Sequence, residues 1–314
     1  MALARVGVPP TLRALATRAG STYWNGVWAM RILSACFAVL ATSTTVSAVA
    51  NDPIVIDEGP VTLGGPGIEI DVEHGEPRPF LDGVGWVIGV PNKLLLLDPR
   101  ADNHDVSYET VEETTDFLSA KGVDGVMVRV NQYDPIGEWR RLAENDRVGL
   151  PWRATVGAIY TLGYSIIPGR LVGGDWYNPF TDTVHVYSDV PALAMEQAAQ
   201  AYDTHEKSHP GLYSAMRLLP LVGLVHEARS KEVVFEHVDE TGTTAEQAEA
   251  RRVLHPQLGK EVGGQAAVFI PQGDALLSIG GAAVGHVIGR YQANQIEADQ
   301  PLYGPEPYST TLHH

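Results

Sequence analysis

Short apolar runs separated by polar turns occupy the first half of the chain. Residues 85–90 and 93–98 are two such runs joined by a Pro-Asn pair, which predicts two short strands. Ser107 suits the N-cap of a helix that extends to about Ala120, and residues 125–130 read as the next strand. This succession of elements predicts a fold that mixes helices and strands.

A strand followed directly by a helix is predicted near the middle of the chain. Residues 183–187 are rich in Thr and Val, which favours a strand. Ser188 or Asp189 can cap the helix that follows, and Pro191 falls in its first turn, where proline is tolerated. The pattern therefore predicts a sheet strand that feeds straight into a long helix.

Two longer runs, residues 154–169 and 275–289, contain no Asp, Glu, Lys or Arg. The first is short for a membrane span. The second carries Gly281, Gly285 and Gly289 at four-residue spacing, a ridge of small residues that permits close helix contact. Two interpretations stay open: contact with a membrane or another subunit, or close helix packing inside a soluble core.

The N-terminal residues resemble an export signal. Met30 and Arg31 precede an apolar stretch, residues 32–50, that ends in Ala-Val-Ala, the pattern of a signal peptide and its cleavage site. We therefore expect an exported protein of the periplasm or cell envelope with a mature chain from Asn51. The predicted divisions are an N-terminal extension with signal peptide (1–50), an acidic Gly/Pro-rich arm (51–80), an α+β domain (81–263), an apolar Gly-rich helical segment (264–292) and a polar tail (293–314).

Charge and cysteine content narrow the function classes. The net charge of −16 argues against nucleic-acid binding, because phosphate contacts need a basic surface. The single cysteine, Cys36, lies inside the predicted signal. We therefore expect neither a disulfide nor thiol chemistry in the mature chain.

The sharpest chemical motif is H-E-x-x-H at residues 205–209. On a helix, His205 and His209 would share one face and could hold one Zn²⁺, while Glu206 would serve as general base. Glu227 could supply a third ligand and leave a coordination position open for water. These residues define a candidate zinc peptidase site.

The residues around this motif argue against an intact site. Lys207 places a charge inside the motif, and Pro210 follows His209 directly. Proline disfavours helical geometry at the residue before it, so His209 would lie on a frayed last turn. The alternative interpretation is a pair of surface histidines near a helix end.

A second alignment places the motif earlier on the same helix. Residues 173–203 contain Asn-Pro-Phe, the predicted strand and the predicted helix, and this order resembles the core of zincin metallopeptidases. In exported bacterial proteins that the chain resembles, the helix carries H-E-x-G-H followed by Ala and Asp. Aligned on Ala201 and Asp203, that motif falls on residues 196–200 of this chain. The resemblance spans about residues 86–290 and includes Asn103-His104, Arg129-Val130-Asn131-Gln132-Tyr133, Gly137-Glu138-Trp139-Arg140-Arg141, Leu171-Val172-Gly173-Gly174-Asp175, Val253-Leu254-His255-Pro256 and His226-Glu227-Ala228.

The resemblance implies a zincin-like core whose catalytic helix has degenerated. Glu196 and Gln200 stand where the two histidine ligands are expected, Gln197 replaces the general base, and Glu227 remains as third ligand. A glutamine amide cannot accept a proton near neutral pH, and its carbonyl oxygen is a poor zinc ligand. At about 100° per residue, these three positions share a side with Leu193, whereas His205 and His209 point elsewhere.

Three hypotheses follow. The first is an exported, non-catalytic zincin relative with no cofactor and a binding or structural role toward an unknown protein or peptide partner. The second is an active zinc peptidase that uses His205, Glu206, His209 and Glu227. The third is a membrane-associated scaffold in which the two apolar runs matter. Under all three we expect an α+β fold with an edge strand, a motif helix and apolar Gly-rich helices.

Overall fold

The computed structural model describes residues 61–63, 68–172, 174–266 and 274–299. It shows a mixed sheet of five strands, β1 to β5 in chain order, with helices as the larger part of the fold. The spatial order of the strands is β1-β2-β3-β5-β4, with parallel pairing in the centre and an antiparallel strand at each edge. The strands are Val61–Leu63, Ile70–His74, Val126–Val130, Trp176–Asn178 and Thr183–Val186.

The helices divide into short segments before the motif helix and long ones after it. The motif helix predicted from the sequence is α8, and it follows β5 directly. A π-helical turn, Arg153–Gly157, links α5 to α6. In chain order the helices are α1 (Pro79–Ile88), α2 (Val90–Leu96), α3 (Tyr108–Ala120), α4 (Pro135–Glu144), α5 (Leu150–Trp152), α6 (Ala158–Ile166), α7 (Gly169–Val172), α8 (Pro191–His205), α9 (Pro210–Met216), α10 (Pro220–Thr241), α11 (Thr244–Ala266) and α12 (Asp274–Ala298).

The centre of the sheet is buried on both faces. Every residue of β3 and β5 is buried, which suits the Val-rich sequences of parallel central strands. The main apolar core joins these strands to α3, α8, α10 and α11. Helix α8 is almost entirely buried, and its Ala-rich sequence lets it lie close to its neighbours. The core thus fixes the motif helix against the sheet.

The α+β class is confirmed, but three local predictions are wrong. The strand before the motif helix is expected at a sheet edge, whereas β5 lies between β3 and the edge strand β4. Residues 85–90 and 93–98 fall in α1, in α2, at Gly89 between them and in the two residues after α2, rather than in strands. Pro79 and Pro91 each occupy the first turn of a helix, and short apolar runs do not distinguish a strand from a buried helix. Residues 51–80 are not simply a loose arm, because they supply β1 and β2, and β2 buries Ile70 and Val72 beside β3.

Several predictions concern residues at the two ends of the chain. The predicted extension and signal peptide, residues 1–50, and most of the polar tail, residues 300–314, lie outside the described residues. Within the described part, α12 extends to Ala298 and so continues past the predicted boundary at residue 292. None of the described helices combines the length and the apolar character that a membrane crossing requires.

The glycine ridge of α12 packs against α11 within the same chain. A Cβ atom added at Gly281 would lie 1.9 Å from the Gly259 carbonyl oxygen, and one at Gly285 would lie 2.3 Å from the His255 carbonyl oxygen. Gly289 approaches the Arg251 carbonyl oxygen in the same way. The four-residue spacing therefore serves close helix packing, the second of the two interpretations of this run.

We expect Gly281→Ala to destabilise the protein by roughly 1–3 kcal/mol, because the added methyl group meets backbone atoms that cannot move aside cheaply. Gly280→Ala is the matched control, since a Cβ atom there meets nothing within 4 Å. That variant should be neutral or more stable by up to about 1 kcal/mol, as alanine favours helices. Urea denaturation of both variants measures the difference. Equal effects at the two positions would contradict the packing argument.

Candidate functional site

The motif helix α8 presents a row of polar side chains to a cleft. Gln197 and Gln200 line this cleft together with Leu193, and all three side chains are largely buried. Glu196 lies beside them and is fully buried. Pro191 at the start of α8 and the short link from β5 set the direction of the helix. The fold thus places residues 196–200 on the inner side of the motif helix.

Gln200 joins the motif helix to α10. Its side-chain amide nitrogen donates to Glu227 Oε2 over 2.9 Å. Its carbonyl oxygen accepts from Arg217 Nη2 over 2.7 Å. Both ends of the amide are therefore engaged by charged partners, and Glu227 is held against Gln200, the residue expected to align with the second histidine ligand.

Lys231 lies one turn beyond Glu227 on α10 and is 1% exposed. Its Nζ atom is 2.5 Å from Glu196 Oε1, 2.8 Å from Glu261 Oε2 and 3.7 Å from Glu227 Oε2. We name these four residues the carboxylate–lysine cluster. The three carboxylates come from α8, α10 and α11, so the cluster fastens three helices at the edge of the cleft.

The pKa values of the cluster respond to burial and to the lysine. Burial raises the pKa of Glu196 well above its ordinary value, although Lys231 opposes the shift. Burial would also raise the pKa of Glu227, but the charges of Lys231 and Arg217 hold it below its ordinary value. Burial disfavours charge on Lys231, yet Glu196 and Glu261 keep its pKa above the usual range. Lys231 therefore stays charged and favours the ionised form of Glu227.

Behind the cluster, Asp203 connects the motif helix to α9 and α10. Asp203 Oδ2 accepts from His226 Nδ1 over 2.8 Å and from the Tyr213 hydroxyl, and Oδ1 accepts from Lys207 over 2.6 Å. Burial alone would raise the pKa of Asp203, but these hydrogen bonds hold it well below its ordinary value. Because His226 precedes Glu227, this contact positions the α10 segment that carries the Glu227 carboxylate.

The literal H-E-x-x-H residues do not form the predicted zinc site. Helix α8 ends at His205, Glu206 is its exposed C-cap residue, and His209 is the N-cap residue of α9. His205 Nε2 lies 2.9 Å from both carboxylate oxygens of Asp182, on the far side of the helix from Glu227. Pro210 begins α9 and thereby separates the two histidines into different helices. Among the described residues, the structure therefore does not group His205 and His209 with Glu227 as one set of metal ligands.

The residues at positions 196–200 do not suit zinc either. Across the described ranges, the group of three or more His, Cys, Asp or Glu side chains that could meet at one cation is Glu196, Glu227 and Glu261. This set offers only oxygen ligands, whereas protein zinc sites favour histidine and cysteine. Lys231 already places a positive charge among these carboxylates. The described residues at this position therefore do not fit a zinc centre.

The cleft beside the cluster has a volume of about 570 Å³. Edge strand β4 contributes Trp176 and Tyr177, and α6 contributes Tyr160. Charged groups from both sides of the cleft also reach its wall; they are Asp102, Asp175, Arg217, Glu227, Lys260 and Glu261. A second, mainly apolar groove of about 460 Å³ shares Tyr160 and Trp176 with it. The combination of aromatic surface and fixed polar groups is typical of a ligand-binding cleft.

Asp175 is a cleft residue with a strongly raised pKa. Its Oδ1 atom accepts backbone N–H groups from Tyr187 and Ser188 over 2.6 and 2.9 Å, while its Oδ2 atom is buried without a hydrogen-bond partner. Burial raises the pKa of Asp175 to about 7, and the charge of Asp102 adds to the shift. Asp175 therefore titrates near neutral pH at the wall of the cleft.

The pH dependence of unfolding should report on Asp175. Its folded-state pKa lies above the ordinary 3.8, so its contribution to stability is full below about pH 4 and is lost as the pH rises through about 7. Asp175→Asn keeps the acceptor for both N–H groups, so we expect a smaller loss of stability between pH 4 and 7. Urea denaturation at several pH values measures this slope. An unchanged slope would contradict the assignment.

Asp189→Asn is a control in which the pH dependence of stability should change in the opposite direction. Burial would raise the pKa of Asp189, but hydrogen bonds from Ser107 and Thr110 lower it overall. Its contribution is therefore present above the ordinary pKa and is lost as the pH falls through the lowered folded-state value. Asp189→Asn should cost stability at pH 7 and little at strongly acidic pH.

Sequence reasoning missed three residues of the site: Lys231, Glu261 and Arg217. Lys231 follows Glu227 at the i+4 spacing of a helix, which was the one local signal available. Glu261 and Arg217 reach the site from helices that the sequence could not place in space. Comparisons with protein-family models, with curated proteins and with solved structures return no match. Function is therefore inferred from the geometry of the site.

Proposed function

We propose that the protein is an exported, non-catalytic relative of zincin metallopeptidases that binds a protein or peptide partner in the cell envelope. The hydrogen bond between Gln200 and Glu227 carries this proposal. In this bond Glu227, the proposed third ligand, contacts the side-chain amide of Gln200. A zinc site would need a histidine at position 200. Gln197, at the position of the general base, cannot take a proton from water near neutral pH.

The surroundings of the motif helix support a binding role. The cleft keeps aromatic walls from Trp176, Tyr177 and Tyr160 beside fixed polar groups. Edge strand β4 forms part of this wall and pairs only with β5 among the described strands. An edge strand next to a cleft suits an extended chain, because its free backbone groups can pair with another strand.

Metal analysis and a peptidase assay test the proposal. The purified chain should hold no stoichiometric zinc after exposure to zinc and gel filtration, and it should not cleave a mixed library of fluorogenic peptides. The alternative is an active zinc peptidase that uses His205, Glu206, His209 and Glu227. One tightly held zinc per chain, lost in His205→Ala or His209→Ala, would overturn the proposal in favour of that alternative.

A membrane-associated scaffold is the second candidate, and exposed apolar side chains favour it. Ile159 and Ile166 on α6 are 71% and 68% exposed, and Leu276 and Val287 on α12 are 75% and 72% exposed. All four residues belong to the two apolar runs, and none of them joins the main apolar core. Flotation with zwitterionic phosphatidylcholine vesicles tests this role, because the net charge of −16 would oppose binding to anionic lipid. Recovery of the whole protein in the unbound fraction would exclude it.

A further inference from the structure

Lys231 is a buried cation enclosed by carboxylates from three different helices. Its ammonium lies within 2.8 Å of both Glu196 and Glu261 and 3.7 Å from Glu227. A buried charge is tolerated only where opposite charges and hydrogen bonds compensate it. The cluster therefore depends on one positive charge at one point.

The three carboxylates have the arrangement of a cation site. One oxygen from each of Glu196, Glu227 and Glu261 can be chosen so that all three lie within 4.8 Å of one another. Carboxylate oxygens are the ligands that hard divalent cations prefer. A second observation points to a ligand: Glu196 is fully buried, and its Oε2 atom lacks a hydrogen-bond partner. The cluster thus has more acceptor capacity than the ammonium uses.

We propose that Lys231 is the resident cation of a three-carboxylate site, and that a hard divalent cation takes its place when the ammonium is removed. This inference deepens the proposed function, since it explains how the cleft keeps its shape without a metal. The lysine is tethered to α10, so the positive charge does not depend on metal supply. Glu227 accepts a hydrogen bond from Gln200, and Gln200 accepts one from Arg217. The cluster therefore also fixes this wall of the cleft.

The test is a cation titration of Lys231→Ala, which removes the charge and opens space for an ion. The chain is stripped with a chelator and titrated with Mn²⁺, Ca²⁺ and Mg²⁺ while thermal unfolding is followed. We expect the Tm of the variant to rise by roughly 5–10 °C at a cation concentration about 100 times Kd, and that of the wild type to stay unchanged. Electron paramagnetic resonance should count one bound Mn²⁺ per variant chain.

Two matched variants identify the site. Lys260 lines the same cleft, and its ammonium donates to the Asn92 side chain over 2.9 Å. Lys260→Ala should therefore remain insensitive to cations. The double variant Lys231→Ala with Glu261→Ala lacks one of the three carboxylates and should lose most of the response. An equal response in all variants would show nonspecific binding and overturn the proposal.

The remaining outcomes are also decisive. A folded Lys231→Ala chain that responds to none of the three cations overturns the inference. If that variant folds only with a divalent cation present, the inference is supported. If neither it nor Lys231→Ala with Glu196→Gln folds at any cation concentration, the inference fails, because a divalent ion should supply the missing charge. Zinc binding by the wild type through His205 would overturn the proposed function but would leave the cation response of Lys231→Ala unaffected.

Discussion

A chain that carries Glu196→His, Gln197→Glu, Gln200→His and Lys231→Ala is expected to bind one zinc ion. Positions 196 and 200 lie one turn apart on α8, so two imidazoles there would share a face. Glu227 already contacts position 200 and would complete three protein ligands. Removal of the ammonium takes away a charge that would repel the metal. We expect zinc affinity to rise by at least about 100-fold over wild type, which is about 2.7 kcal/mol. Competition with a chromophoric chelator measures it.

Two further variants separate the contributions to this gain. The same three changes on α8 with Lys231 retained should bind zinc poorly, because the ammonium would still lie among the ligands. The four-residue variant with Glu227→Gln added should bind about 10–100-fold more weakly than its parent, since a ligand is replaced by a neutral amide. A folded four-residue variant with no affinity for zinc would contradict the proposal that residues 196–200 correspond to a zincin-like motif.

The features of the site that depend on neighbouring residues could be predicted from the sequence. Pro210 predicted the break at His209, and α8 does end before that residue. The helical period predicted that Gln197 and Gln200 share one side with Leu193, and these three residues do line one cleft. Ser107 was predicted to cap a helix, and its side chain accepts from the Thr110 backbone N–H. Each of these depends on residues within a few positions of one another.

The parts that the sequence did not reveal depend on contacts across long separations. The strand β2 within the acidic arm is fixed by parallel pairing with β3, more than fifty residues later. The helices α1 and α2 were predicted as strands because a short apolar run carries no clear period. Glu261 belongs to a helix whose overall pattern is polar, and only its packing beside α10 brings it to Lys231. Tertiary packing decided each of these cases.

Lys231→Met should be among the most destabilising single substitutions in the protein. Methionine retains much of the volume of lysine but leaves Glu196, Glu227 and Glu261 without their cation. Loss of one partner from a buried ionic cluster costs about 3–5 kcal/mol, because the remaining charges stay desolvated. Urea denaturation at pH 7 measures this loss. Lys260→Met is the control, and we expect it to change the free energy of unfolding by no more than about 1 kcal/mol, since the Lys260 ammonium donates to the neutral Asn92 side chain and acts on Asp102 through its charge alone.

The pH dependence of the same variant distinguishes lost charge from lost packing. Without Lys231, burial and mutual repulsion raise the folded-state pKa values of the carboxyls, so stability is lost as the pH rises above their ordinary values near 4.3. In the wild type, Glu227 has a lowered pKa, so its contribution to stability is instead lost on acidification. The first effect narrows the gap in the free energy of unfolding between variant and wild type as the pH falls from 7 to 5, whereas the loss in the wild type begins only below the ordinary pKa of Glu227. A gap that stays constant over this range would mean that the lysine side chain matters for its volume, and the electrostatic role of the cluster would have to be abandoned.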